Sequence, residues 1–145
     1  MKTSLPRKQK GAVAIEFALV FIIFFGVFYA MVSYSLPLLL LQSFNQATAE
    51  AVRRSVALDP NSAGYAANVG PQAAAIARLQ LSWIPDSFGF QPGYVTGTYD
   101  GSVLKVAINY PSANLKKVLP FIVLPGIGSV PSLPTNLTAQ SSLQF

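Results

Sequence analysis

The apolar and polar positions divide the chain into one long apolar run and a mixed remainder. Residues 12–41 are apolar or small at most positions, and Glu16 is the only ionisable residue of this run other than tyrosine. About 20 apolar residues cross a bilayer as a helix that rises roughly 1.5 Å per residue. A buried helix of a water-soluble protein is rarely apolar on every face for so long. The run therefore predicts one transmembrane helix over residues 12–41.

A helical pattern continues beyond the apolar run. Pro37 either ends or kinks the spanning helix, and residues 42–58 then form a helical stalk that Asp59 and Pro60 stop. Glu50 lies four residues before Arg54, a favourable spacing for an ion pair. One face of the stalk carries Phe44, Ala47, Ala51, Ser55 and Leu58. This face packs either against the chain's own domain, which we favour, or against sister subunits.

Residues 59–145 have the short patterns of a small mixed domain. Residues 61–71 are typical of a loop, and the proline at position 71 predicts the first turn of a short helix over 71–84, with Trp83 in the core. A hairpin follows, with strands over 94–99 and 102–110. Its turn is Asp100-Gly101, its expected core residues are Leu104, Val106 and Ile108, and a terminal strand is expected over 137–145.

The fold class that these patterns predict is α+β. An N-terminal transmembrane helix extends into the stalk, and a small domain follows with a short helix and an antiparallel sheet of about three strands. The apolar stretch 118–134 contains four prolines and two glycines, which exclude a second membrane helix. This stretch is equally compatible with a packed loop and with an exposed partner surface.

The distribution of charge argues against a nucleic-acid partner. The chain carries a formal charge of +5, but Lys2, Arg7, Lys8 and Lys10 all precede Gly11. The rest of the chain has six basic residues against five acidic ones, without a basic stripe interleaved with aromatic residues. The basic excess therefore belongs to the N-terminal tail.

The composition also leaves little chemistry for an enzyme. The sequence has no cysteine and no histidine, which removes thiolate nucleophiles, imidazole bases, most transition-metal sites and disulfides. The acidic residues are scattered singly, so no carboxylate pair indicates acid–base catalysis or calcium binding. We therefore predict no enzymatic activity, no catalytic or metal-binding residue and no cofactor.

The flanking charges predict the orientation of the span. Four basic residues closely precede the helix, whereas Arg53 and Arg54 follow it at a distance and are partly balanced by Glu50. The N-terminus should be cytoplasmic, and the residues beyond about 41 should be periplasmic. A conventional secretory signal would have a shorter apolar region and a small-x-small cleavage site at its end, which this chain lacks.

Glu16 is costly inside an apolar helix, at up to about 2.5–3.5 kcal/mol at the centre of a span. Near the cytoplasmic end it could simply extend to the interface, but its neighbourhood favours a function. The sequence RKQKGAVAIEF combines basic residues, Gly11, four small or apolar residues, and then Glu16 and Phe17. It resembles the leader junction of type IV pilins and pseudopilins. The continuation to residue 58 is similar to the TadE-like minor pseudopilins of the tight-adherence (Tad/Flp) branch.

This resemblance implies a specific processing and assembly route. A prepilin peptidase would cut between Gly11 and Ala12 and remove residues 1–11 as a basic leader. Glu16 would become the fifth residue of the mature chain, where it could neutralise the new ammonium of Ala12 in a neighbouring subunit. The implied partners are the peptidase, other pilins and pseudopilins, an inner-membrane assembly platform and the lipid bilayer.

The predicted function is structural. The chain would be a minor pilin or pseudopilin that helps to initiate, prime or cap a tight-adherence pilus in adhesion and surface colonisation. It would be a single-pass inner-membrane protein that could enter the fibre. Two alternatives are a pseudopilin of a type II secretion or DNA-uptake machine, and a signal-anchored periplasmic sensor or enzyme in which the motif is coincidental.

Overall fold

The computed structural model describes residues 7–124, 126 and 128–144, and their side chains from residue 11 onward. The helices and strands, in chain order, are α1 (Arg7–Ser55), α2 (Tyr65–Gln80), β1 (Val95–Tyr99), β2 (Val103–Pro111), β3 (Ile122–Leu124), β4 (Gly128–Val130) and β5 (Asn136–Gln144). Short 3-10 turns at Asp86–Phe88, Pro92–Tyr94 and Ser112–Lys117 connect them. The predicted α+β class is confirmed.

The N-terminal helix α1 is one uninterrupted element of 49 residues, about 74 Å long at the usual helical rise. It does not end at Pro37, although proline cannot donate to the carbonyl of Ser33 one turn earlier. It ends at Ser55 instead of Leu58, and a last turn follows in which Leu58 N donates to Ser55 O at 3.2 Å. One continuous helix thus joins the apolar run to the folded domain.

The C-terminal half of α1 packs against the chain's own domain. Four of the five predicted stripe residues are fully buried and Leu58 packs at the margin of the core, which confirms the favoured interpretation. Phe44 lies at the centre of this contact, with its ring 5.7 Å from that of Tyr110 on β2 and 5.9 Å from that of Phe90. The stalk is therefore part of the hydrophobic core.

The second helix begins earlier than the sequence predicts. Residues 65–70 are helical, not loop, and Pro71 lies inside α2 instead of at its first turn. The reason is a tertiary contact, because α2 approaches β1 where two glycines meet. A Cβ on Gly70 would lie 2.8 Å from Gly97 O, and one on Gly97 would lie 2.1 Å from Gly70 O. Where α2 packs this closely on the sheet, the residues just before Pro71 are helical. Local propensity does not favour a helical turn immediately before a proline.

The main sheet is antiparallel with the order β1-β2-β5. Leu104 pairs with Tyr99 on one side and Leu143 on the other. The predicted core residues Leu104, Val106 and Ile108 are all buried, and the Asp100-Gly101 turn and the terminal strand are present. Thr48 on α1 and Ser141 on β5 are linked by a hydrogen bond of 3.0 Å. Since Tyr34 bonds to Ser132 just before β5, this strand runs along α1 away from the apolar half.

Two further differences concern the apolar surface. Trp83, predicted to be in the core, is 51% exposed because α2 ends at Gln80 and the chain turns before reaching it. The stretch 118–134 contains a second, two-stranded sheet in which β3 pairs with β4. The sequence is equally compatible with a packed loop and with an exposed surface here, and the structure leaves Ile122, Val123 and Leu124 exposed.

Candidate membrane and assembly site

The N-terminal half of α1 has no protein covering over most of its surface. Every residue from Gly11 to Phe28 is exposed, and the most apolar window of the helix has a mean hydropathy of 2.5 with none of its residues buried. Water-soluble monomers rarely expose an apolar surface of this extent. Helix α1 is long and apolar enough to cross a membrane. Lipid or the helices of other subunits can cover it.

Phenylalanines dominate this exposed surface in two rows. Phe17, Phe21 and Phe25 stack one turn apart, with ring centroids 6.2 Å apart at each step. Phe24 and Phe28 form a second pair at 6.5 Å. These spacings follow from the i,i+4 geometry of the helix. The rows present ridges of the kind that pack into the grooves of a neighbouring helix.

The predicted leader junction lies within α1. Gly11, Ala12, Glu16 and Phe17 occupy its first turns after the basic residues. Residues 12 and 16 are one turn apart on the same face, and a helical side chain leans towards the N-terminus, so the Glu16 carboxylate is directed towards the Ala12 end. Among the side chains that the structure describes, none forms a hydrogen bond or salt bridge with Glu16.

The structure describes only some of the basic residues of the predicted leader. Lys2 lies outside the described residues. Arg7, Lys8 and Lys10 lie at the start of α1, and only their backbone is described. At Gly11 a Cβ would meet nothing within 4 Å, so the fold of this chain does not require glycine there.

The sequence interpretation missed one part of this site. Tyr29 donates a hydrogen bond to Pro120 O, and Ser132 N donates to Tyr34 Oη at 2.9 Å. These bonds bring β3 and β4 alongside the apolar half of α1. A turn signal was present in the sequence, since Pro125 and Gly126 separate two apolar runs. No local pattern in the sequence indicated that this hairpin would lie against α1.

The described residues contain no group of three or more His, Cys, Asp or Glu side chains that could hold a metal ion. The ion pairs that they form lie on the stalk, where Glu50 contacts Arg54 at 2.6 Å, as predicted, and Arg53 at 2.7 Å. These guanidinium groups lower the pKa of Glu50 to about 2, mainly through the hydrogen bond from Arg53. The pair is exposed and supports the surface of the helix, not a reaction.

Comparison with known proteins finds a match to a protein family. A family model described as TadE-like protein matches residues 11–53, which comprise the leader junction, the apolar run and most of the stalk. No curated protein and no solved structure matches the chain significantly. The matched residues are those that form the exposed half of α1 and its first contacts with the domain.

Proposed function

We propose that this chain is a TadE-like minor pseudopilin of a Tad pilus system, a proposal supported by the TadE-like family model that matches residues 11–53. It helps to initiate, prime or cap assembly of a tight-adherence pilus that serves adhesion and surface colonisation. The observation that carries this proposal is the exposed apolar half of α1 with Glu16 near its start. The family match favours the tight-adherence system over a secretion or DNA-uptake machine.

The proposed location is the bacterial inner membrane. Helix α1 crosses it once, with the basic N-terminus in the cytoplasm and the α+β domain in the periplasm, as the charge asymmetry supports. Residues 1–11 are the leader, 12–41 the span, 42–58 the stalk and 59–145 the periplasmic domain. The continuous rod of α1 couples the span mechanically to the domain, so a force on one is transmitted to the other.

The proposed partners act in sequence. A prepilin peptidase removes the leader after Gly11, and the assembly platform then brings the mature span against the spans of other pilins. Lys2, Arg7, Lys8 and Lys10 hold the leader in the cytoplasm, and Phe17 with the rows of phenylalanines supplies packing contacts between subunits. The protein acts as a structural component and not as an enzyme.

Glu16 provides the proposed specificity of docking. Cleavage creates an ammonium at Ala12, and the carboxylate of a neighbouring subunit neutralises it between packed helices, where the dielectric constant is low. Such a pair defines the register of two subunits more than it stabilises them. Within one chain the same two groups lie a turn apart, so the carboxylate can shield the ammonium until a partner arrives.

The test of this proposal compares Glu16→Ala, Glu16→Gln and the matched control Glu50→Ala. Glu50 is the other glutamate of α1 and lies outside the span in an exposed pair. Removing one partner of a buried ion pair costs about 3–5 kcal/mol, so Glu16→Ala should abolish docking, while Glu16→Gln should be intermediate. Leader removal should be unchanged in all three variants.

The measurement is site-specific crosslinking of the subunit to its pilin partners, alongside a gel assay for leader removal and a count of piliated cells. Glu50→Ala should crosslink like the wild type. If Glu16→Ala also crosslinks and supports piliation like the wild type, Glu16 only extends to the membrane interface and the docking mechanism is wrong.

A further inference from the structure

The hairpin of β3 and β4, here called the apolar hairpin (residues 122–130), lies against the half of α1 that can span a membrane. Ile122 pairs with Val130 and Leu124 with Gly128. Ile122, Leu124 and Val130 face the helix across a gap of about 270 Å³, which α1 lines from Phe21 to Ala30. The surfaces on both sides of this gap are almost entirely apolar.

Two hydrogen bonds place the base of the hairpin on the helix. Tyr29 Oη donates to Pro120 O before β3, and Ser132 N donates to Tyr34 Oη after β4. From this level the hairpin runs along α1 towards Phe21, which is about 12 Å further down the helix at 1.5 Å per residue. One leaflet of a bilayer has a hydrocarbon thickness of about 15 Å. The hairpin therefore has the length of a single leaflet and not of a span.

Val123 lies on the face of the hairpin that points away from α1, because it alternates with Ile122 and Leu124 along β3. Its side chain is 74% exposed, and Ile122 and Leu124 are still 41% and 38% exposed although they face the helix. The exposed phenylalanines of α1 beside the hairpin need an apolar environment. Since the hairpin lies beside the span, lipid that surrounds the helix also contacts the hairpin.

The base of the hairpin has the chemistry of a membrane interface. Lys116 Nζ lies 5.5 Å from the ring centroid of Phe121, and the exposed Lys117 follows it. No acidic residue occurs after Asp100. Tyrosines at the interface and lysines at the level of the phosphates are the pattern of membrane-bound segments. The basic residues and aromatic rings at the base, followed by the apolar residues of β3, have the order of headgroups, interface and acyl chains.

The prolines of this stretch reduce the cost of contact with lipid. Backbone N–H groups without a partner are expensive in hydrocarbon. Pro125 within the hairpin, and Pro120 and Pro131 beside it, have no N–H group. The two strands also satisfy part of each other's backbone. The remaining edge groups favour a position in the upper part of the leaflet, where water and lipid carbonyls are within reach.

We infer that the apolar hairpin inserts into the outer leaflet of the membrane that α1 spans, with Lys116 and Lys117 at the phosphates of anionic lipids. This inference rests on the membrane anchorage within the proposed function and not on the role in a pilus. It makes the domain a second membrane contact, which holds α1 at one depth and one rotation until the subunit is extracted.

The experiment uses the full chain in vesicles of phosphatidylcholine and phosphatidylglycerol. The sequence has no cysteine, so single cysteines can carry an environment-sensitive fluorophore. Val123→Cys places it on the hairpin, and Phe24→Cys places it in the span. Ser102→Cys places it on the turn between β1 and β2, at the end of the domain away from the hairpin. Lipids with a nitroxide near the headgroup or near the end of the acyl chain serve as quenchers.

The fluorophore at Val123→Cys should be quenched several-fold more than that at Ser102→Cys, and more by the shallow nitroxide than by the deep one. The Phe24→Cys signal reports whether α1 is anchored at all. If Phe24→Cys is quenched but Val123→Cys is no more quenched than Ser102→Cys, the hairpin is not in the leaflet, whatever the fate of the pilus proposal.

Two further outcomes decide the inference. If Val123→Cys is shielded from water but not quenched by the lipids, and the shielding is lost on dilution with lipid, a second copy covers the hairpin and the inference is wrong. The double substitution Lys116→Gln, Lys117→Gln should reduce quenching of Val123→Cys in the anionic vesicles and leave it unchanged in phosphatidylcholine alone. Equal quenching with and without the lysines would overturn the headgroup contact.

Discussion

At the scale of single residues, the domain depends on a few buried polar groups that are paired. Tyr110 is fully buried and donates to Phe88 O at 2.5 Å, and its ring contacts those of Phe44, Phe90 and Tyr94. Burial, with a smaller contribution from Tyr94, raises the pKa of Tyr110 to about 12. The phenol is thus held neutral in the folded state at a pH where an exposed phenol ionises.

The pH dependence follows from that raised pKa. In the unfolded chain Tyr110 ionises near pH 10, whereas in the folded chain it does so near 12. The stabilising contribution of Tyr110 should therefore be complete below pH 10 and be lost as the pH rises from 10 to 12. Absorbance titration of the phenolates in detergent should show one late-ionising tyrosine that is missing in Tyr110→Phe.

Two variants separate the contributions of burial and of Tyr94 to the raised pKa of Tyr110. Tyr110→Phe leaves the carbonyl of Phe88 without its donor and should cost about 1 kcal/mol of unfolding free energy at neutral pH. Tyr94→Phe keeps the burial and should move the late transition only slightly, because burial is the larger cause. A Tyr110 that ionises near pH 10 in the folded chain would show that the ring is not buried in solution.

At the scale of elements, the position of α2 on the sheet depends on the contact between two backbones. Gly70 and Gly97 bring α2 so close to β1 that neither position has room for a Cβ. Residues with a side chain at these two positions would hold the helix further from the sheet. The arrangement of α2, β1 and α1 around one core is therefore sensitive to a single methyl group.

The prediction at this scale is that Gly97→Ala destabilises the domain by about 1–3 kcal/mol, the usual cost of overpacking a filled contact. Gly93→Ala is the matched control, because a Cβ there meets nothing within 4 Å. Chemical denaturation of the full chain in detergent measures both. A Gly97→Ala chain as stable as the Gly93→Ala chain would mean that α2 does not lie this close to β1.

At the scale of the whole molecule, the chain is a rod with a domain built around its far half. Leader removal is the first prediction here. N-terminal sequencing of the protein from the membrane fraction should begin at Ala12, and Gly11→Glu should leave a longer, still inserted chain. Because a side chain at position 11 meets nothing in this fold, loss of cleavage would reflect the requirement of the peptidase.

The matched control for cleavage is Gly26→Ala, which also introduces a side chain into open space on α1 and should be processed normally. A mature chain that starts at Met1, or beyond residue 40, would contradict the pilin interpretation. Both outcomes are visible in the same sequencing experiment.

Topology is the second prediction at this scale. A reporter that is active only in the periplasm should work when fused after Phe145. This residue lies outside the described ones; β5, which ends at Gln144, runs along α1 away from the apolar half. The same reporter fused after Lys10, ahead of the span, should be inactive. Activity of a cytoplasm-only reporter after Phe145 would reverse the proposed orientation.

The sequence alone determined the features that depend on local pattern. The long helix that could cross a membrane follows from an apolar run with one carboxylate, and the buried stripe of the stalk follows from helical spacing around Phe44. The β1-β2 hairpin follows from alternation around Asp100-Gly101, whose carboxylate accepts bonds from Ser102 N and Val103 N. In each case neighbouring residues supply both the signal and the structure, so distant contacts were not needed to identify them.

Only the tertiary structure decided the rest. Local signals around Pro71 favour a helix start, but the contact of Gly70 with Gly97 accompanies helical structure before the proline. Trp83 is apolar enough for a core, yet the end of α2 leaves it half exposed. The place of the apolar hairpin depends on bonds between residues more than 90 positions apart, such as Tyr34 and Ser132. Contacts at such separations produce no periodic pattern in the sequence. The residues around either partner carry no signal for the position of the other.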